Sequence, residues 1–163
     1  MINKLKKMMW LILKKIRVFV IYKFFKKTTY GVRTIITDHK SIFLVKHPYD
    51  SFWVLPGGGQ NKNESAYDTA KRECEEEAGL VIFGDYQILG KYFNNKDGKN
   101  DYVTIVIAEK WEKSIKKRRL IDRIEIEKGE WFKFDCLPKI SLSTKKRINE
   151  YTKGEFSKEI RSW

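Results

Sequence analysis

The chain has 163 residues, 42% of them hydrophobic, which is enough for one domain with a sizeable core and too little for two. Its two cysteines, Cys74 and Cys136, and two histidines, His39 and His47, have no zinc-binding spacing and suit a reducing compartment. The formal charge of +13 is lopsided: nine of the 34 Lys and Arg fall in residues 1–27, which hold no acid, leaving 25 basic against 21 acidic residues in the remainder.

Residues 1–27 are therefore set apart as a basic arm, and residues 28–163 as the folded domain. In the arm, Leu5, Met8, Met9, Ile12, Ile16 and Phe19 recur at helical spacing, which predicts a basic amphipathic helix. Lys14, Lys15 and Arg17 interrupt the apolar run, which is too short and too charged to span a bilayer. Three destinations for its apolar face stay open: the domain or a second copy (a homodimer), an anionic membrane surface, and nucleic acid. Trp10 and the many large apolar groups make nucleic acid the weakest of them. The arm lacks the small-residue cleavage site of an export signal, so a cytoplasmic protein, with membrane association through the arm, is the expectation.

From residue 28 the pattern changes to short runs with turn signals. Residues 30–37 predict a strand, 38–41 a turn, and 42–47 its hairpin partner. Arg33 and Lys46 lie on these strands as candidate phosphate contacts. Pro48, Tyr49 and Asp50 break the second strand, and residues 51–55 lead into a glycine loop. Residues 64–78 predict a helix whose inner face carries Ala66, Ala70 and Cys74, closed by Gly79 in a left-handed cap. Strands follow at 80–83, 86–93 and 102–111, the last being the clearest in the chain. A turn lies at 94–101 and an exposed basic loop at 112–119; 120–127 has no clear shape. A final strand at 129–134 precedes a helix from residue 142, with Ser143 as its cap. The order β-β-α-β-β-β-α gives an α/β protein with a mixed sheet between helices. Phe52, Trp53, Tyr92 and Phe93 are base-stacking candidates, with core packing the better reading of each.

The stretch 55–80, LPGGGQNKNESAYDTAKRECEEEAGL, holds the chemistry. Glu73, Glu76 and Glu77 stand at i, i+3, i+4 and so share one helix face, where like charges repel by about a few tenths of a kcal/mol per pair. A solvated charged face is the plain reading. Gly57, Gly58 and Gly59 argue for more, because they let bare backbone approach that face. Hard oxygen donors in this number suit Mg²⁺ or Mn²⁺ with a phosphate substrate. Glu75 falls on the far side as an ordinary solvated residue.

From Gly58 the residues run Gly, five residues, Glu64, seven residues, then Arg72-Glu73-Cys74-Glu75-Glu76-Glu77-Ala78-Gly79-Leu80. This resembles the Nudix box, G-x5-E-x7-R-E-U-x-E-E-x-G-U, at every fixed position, with Cys74 in place of the usual aliphatic residue. The resemblance implies an α/β/α sandwich and metal-dependent hydrolysis of a pyrophosphate bond in a nucleoside diphosphate linked to another moiety. Nucleoside triphosphates, nucleotide sugars and ADP-ribose rank nearly equal as substrates. By position, Glu76 and Glu77 are the principal metal ligands, Glu73 a further ligand or the base, and the Gly57 carbonyl a possible completion of the first shell. Glu64 and Arg72 form a supporting pair, and Gly58 and Glu64 border the substrate. An acid outside the box is drawn from Glu125, Glu127 and Asp101, with Glu125 preferred. The alternative is a catalytically silent Nudix fold serving as a nucleotide sensor or nucleic-acid-binding module.

Overall fold

The computed structural model describes residues 28–95, 100–116 and 126–163; the basic arm at 1–27 and Glu125 lie outside the described residues. In chain order the elements are β1 (Thr29–Ile36), β2 (Ser41–Lys46), β3 (Trp53–Val54), α1 (Ala66–Glu73) continued by a π-helical turn (Cys74–Ala78), β4 (Leu80–Ile82), β5 (Gln87–Asn94), β6 (Asp101–Ala108), β7 (Trp111–Lys113), β8 (Lys128–Lys133), α2 (Leu142–Thr152) and β9 (Ile160–Ser162). A mixed four-stranded sheet runs β1-β6-β5-β9, beside an antiparallel β3-β2-β8 sheet and a β4-β7 pair.

The period of two along the strands divides the core. Val32 and Ile36 of β1, with Val106 and Ala108 of β6, pack against Ala70 and Cys74 from the first helix and its extension. Ile35, Ile105, Ile107, Leu89 and Tyr92 face the other way, onto Ile148 of α2. Helices thus cover both faces of the mixed sheet, giving the expected α/β/α arrangement.

Four local expectations change. The first two strands are not a hairpin: after the single bridge Thr37–Ile42 they part into different sheets. Both edges of β1 are already occupied, one by β6 in parallel register from Thr29–Asp101 to Ile36–Ala108, the other by the glycine loop. The long strand expected at 102–111 divides at Ala108, and Trp111–Lys113 turns to pair antiparallel with β4. The first helix starts after Ser65, which is extended (φ −75°, ψ 166°). Ser65 Oγ accepts from the Asp68 N–H at 3.1 Å while the Asp68 carboxylate accepts from the Ser65 N–H at 3.1 Å, a reciprocal capping box. At the second helix the cap is Ser141 rather than Ser143, its Oγ accepting from the Thr144 N–H at 3.2 Å. Gly79 ends the box helix at φ 67°, ψ 28°, in the expected left-handed cap.

Candidate active site

The glycine loop is laid along β1 as an extra strand edge. The Thr34 N–H donates to Pro56 O (2.8 Å), Val32 N–H to Gly58 O (2.9 Å) and Gln60 N–H to Tyr30 O (2.9 Å). Gly57 sits at φ 142°, and a methyl group there would stand 2.1 Å from Val32 O. A methyl on Gly58 would stand 2.4 Å from Glu73 Oε1, so the Glu73 carboxylate lies directly over the Gly58 backbone. The Gly57 N–H donates to Glu77 Oε2 at 2.8 Å. Loop and helix are therefore registered by two of the three acids.

Arg72 ties the rest together. Its Nε donates to Glu64 Oε1 at 2.9 Å and its Nη2 to Glu64 Oε2 at 3.1 Å, a bidentate pair. Nη2 also donates to Gly59 O (2.9 Å), while Nη1 donates to Glu73 Oε1 (2.5 Å) and Glu76 Oε2 (3.3 Å). Glu64 further accepts from the Asn61 N–H at 3.0 Å and from Asn61 Nδ2 at 2.9 Å. The Arg72 bond, then the Asn61 bonds, hold the Glu64 carboxyl well below the usual carboxylate range, and Arg72 in turn loses its proton less readily. For Glu73 the balance is reversed: burial raises its pKa in spite of the Arg72 bond. Glu73 and Glu77 are buried, whereas the Glu76 side chain keeps a quarter of its surface exposed.

Because folding lowers the Glu64 pKa, this pair stabilises the protein above about pH 4.5, the ordinary value, and that stabilisation is lost as pH falls toward the depressed folded value. Glu64→Gln is expected to cost about 2 kcal/mol at pH 7. Its melting temperature should also fall less steeply between pH 5 and 3 than the parent's, in melts scanned across that range (windows on the order of the reference carboxylate pKa). Equal acid sensitivity of the two proteins would remove Glu64 as the cause.

The other candidates sit as follows. Arg33 Nη1 donates to the Gly57 carbonyl and to Leu55 O (3.3 Å), so it pins the loop from the strand side. Lys46 closes β2 opposite Trp53 and Lys128. Asp101 accepts from Thr29 Oγ1 at 2.9 Å, and Glu127 lies just before β8. Cys74 is fully buried with its thiol pKa pushed up to about 12 by burial, so it packs as a small hydrophobe. Glu75 is not merely solvated: Ser114 Oγ donates to it at 2.8 Å and Lys116 Nζ at 2.9 Å, tying the π-helical turn to the segment after β7. Nothing in the sequence links residues 75 and 116, since the contact depends on β4 pairing with β7.

The NUDIX domain family model matches residues 27–151. The chain belongs to the NUDIX family. Diphosphoinositol polyphosphate phosphohydrolase 3-beta of Bos taurus is 34% identical over 109 residues, 63% of this chain and 60% of that relative. The corresponding phosphohydrolase 2 of Homo sapiens is 34% identical over 108 residues, 63% of this chain and 54% of the relative. The matched region therefore spans less than two thirds of these curated relatives. Among solved structures, a NUDIX hydrolase from Nitrosomonas europaea superposes with TM-score 0.64 at 18% identity, covering 80% of this chain and 92% of that one. An ADP-ribose pyrophosphatase from Streptococcus suis gives TM-score 0.59 at 20% identity, covering 84% and 100%. These two likenesses establish the Nudix fold.

The family implies a divalent cation. Among the described residues no three His, Cys, Asp or Glu side chains converge as a ready-made cage. The donors nevertheless fit Mg²⁺ or Mn²⁺, which need only one or two carboxylates and complete their shell with water and substrate oxygens. Glu73 and Glu76 already converge on one cationic nitrogen, Arg72 Nη1. Glu77 is buried beside the loop, and every donor is a hard oxygen.

Proposed function

We propose that this Nudix domain hydrolyses a pyrophosphate bond in a nucleoside diphosphate linked to another moiety. The observation that carries this reading is the Glu73 carboxylate held against bare Gly58 backbone, with Glu76 gathered beside it by Arg72 and Glu77 on the Gly57 N–H. That sets three carboxylates around a bare glycine backbone, an arrangement suited to cations that bridge a polyanion. Glu76, Glu77 and Glu73 would hold Mg²⁺ or Mn²⁺, which when bound neutralises phosphoryl oxygens and makes its water acidic enough to attack near neutral pH. Glu73, lying over the Gly58 backbone beside the other two acids, serves as a further ligand or as the base that takes the proton from that water. Oxygen from water joins phosphorus, the bridging P–O bond breaks, and the leaving phosphate departs with the bridging oxygen. Arg72 keeps Glu73 and Glu76 in place through the step, while the Glu64 clamp holds Arg72. The names of the curated relatives and of the ADP-ribose pyrophosphatase support anhydride hydrolysis as the reaction class.

Residues 28–163 are proposed as the catalytic unit, with the basic arm at 1–27 a means of holding it at an anionic membrane surface. No helix among the described residues is long and apolar enough to cross a membrane.

The test is product release from a panel of nucleoside triphosphates, nucleotide sugars, ADP-ribose, a dinucleoside polyphosphate and a diphosphoinositol polyphosphate, with and without Mg²⁺ or Mn²⁺. Metal-dependent turnover of one class is expected. Tight nucleotide binding without any product would return the silent sensor in its place.

A further inference from the structure

The strand registers assemble a row of aromatic rings that the chemistry above does not use. Tyr30 on β1 is opposite Tyr102 on β6, and Tyr102 is opposite Phe93 on β5. Tyr30 and Tyr102 are stacked with centroids 5.6 Å apart and 20° between planes; Phe93 lies 4.9 Å from Tyr102. Tyr30 shares its strand face with Val32, two residues on, and Tyr102 with Val106, four residues on, both packed against Ala70 and Cys74; Phe93, opposite Tyr102, lies on that same face, the one covered by α1. Yet Tyr30, at the end of the row, remains 57% exposed. A large aromatic left open at the end of a stacked row is a surface with an unused π-face.

Its position relative to the acids follows from the backbone. Tyr30 O accepts from the Gln60 N–H, so Tyr30 is level with the residue just after the glycine loop. Val32, the next residue of β1 on the same face, is level with Gly58, over which the Glu73 carboxylate lies. The ring row is thus one side-chain repeat, about 7 Å, along the strand from Glu73. Gly59 lies between these two levels of the loop, bridged to Gly31 of β1.

We propose that Tyr30, backed by Tyr102 and Phe93, is the face on which the planar base of a nucleoside diphosphate substrate stacks. This rests on the pyrophosphohydrolase reading and deepens it: the site would select nucleotides over phosphorylated cyclitols, which offer no aromatic plane. A base on Tyr30 places its diphosphate toward the loop and the Glu73 carboxylate, whereas a cyclitol gains nothing from the row. Stacking is tolerant of base identity, so the selection is for the presence of a base rather than for one base.

The experiment compares kcat/KM of the full chain for ADP-ribose with that for a diphosphoinositol polyphosphate, in the parent, Tyr30→Ala and Tyr30→Phe, with AMP binding measured by calorimetry alongside. Tyr30→Ala is expected to lower the ratio of the two kcat/KM values by roughly tenfold and to weaken AMP by a similar factor. Tyr30→Phe should keep the ratio within about twofold, since the ring is retained. A ratio unchanged in Tyr30→Ala, whether both activities fall together or neither falls, overturns the proposal. Tyr30-dependent AMP binding without turnover of either substrate would overturn the hydrolase reading and leave the base platform standing. Turnover of the cyclitol substrate with no AMP binding would overturn the platform alone.

Discussion

Glu76→Gln is expected to lower kcat/KM for the substrate found by the panel by on the order of 10³-fold while leaving the melting temperature nearly unchanged. The substitution is isosteric, and a glutamine oxygen can still accept from Arg72 Nη1, which reaches the Glu76 carboxylate at 3.3 Å. A quarter of the side chain is exposed, so no buried charge is stranded when its own is removed. What disappears is one negative hard oxygen from the face that would hold the cation. The loss should be only partly offset by raising Mg²⁺, because Glu73 and Glu77 remain. A fall smaller than tenfold, in protein with a parental melt, would show that Glu76 is not a ligand.

Gly57→Ala should be the most damaging single change to the fold of the site. The added methyl would stand 2.1 Å from Val32 O and 2.9 Å from the Arg33 Cα, both backbone atoms of a strand paired on its other edge, at a φ of 142° that side chains rarely adopt. The loop would have to lift off β1, breaking the Gly57 N–H bond to Glu77 and the Arg33 bond to the Gly57 carbonyl. The expected cost is about 3 kcal/mol or more, a fall in melting temperature of roughly 6–12 °C for a chain of this size. Gly59→Ala is the internal control: with open space around the added methyl, it should stay within about 1 kcal/mol of the parent. Equal melts for the two variants would mean that the loop tolerates displacement and that its close approach is not structurally required.

The sequence carried the fold class and the local geometry of the box further than it carried the strand pairing. Spacing alone placed Glu73, Glu76 and Glu77 on one face, because helical geometry is local and repeats every few residues. The glycine run announced a close backbone approach, and Gly57 and Gly58 are where it occurs. Ala70 and Cys74 face the sheet as their period required. The Glu64–Arg72 pair was legible for the same reason, lying eight residues apart across the start of one helix.

What remained hidden depends on partners distant in sequence. Residues 30–47 have the pattern of a hairpin, and only the occupation of both β1 edges, by β6 and by the loop, separates those strands. Glu75 looks solvated until β4–β7 pairing brings Lys116 and Ser114 to it. Tyr30, Tyr102 and Phe93 are unremarkable in three separate segments and become a row only through cross-strand register. Local period therefore placed the acids of the box, and the resemblance of residues 58–80 to the Nudix box pointed to the family that the chain belongs to. Which strands are neighbours, which ring is left uncovered and which acid is buried were decided by tertiary structure, since strand pairing and burial are set by contacts that no local pattern encodes.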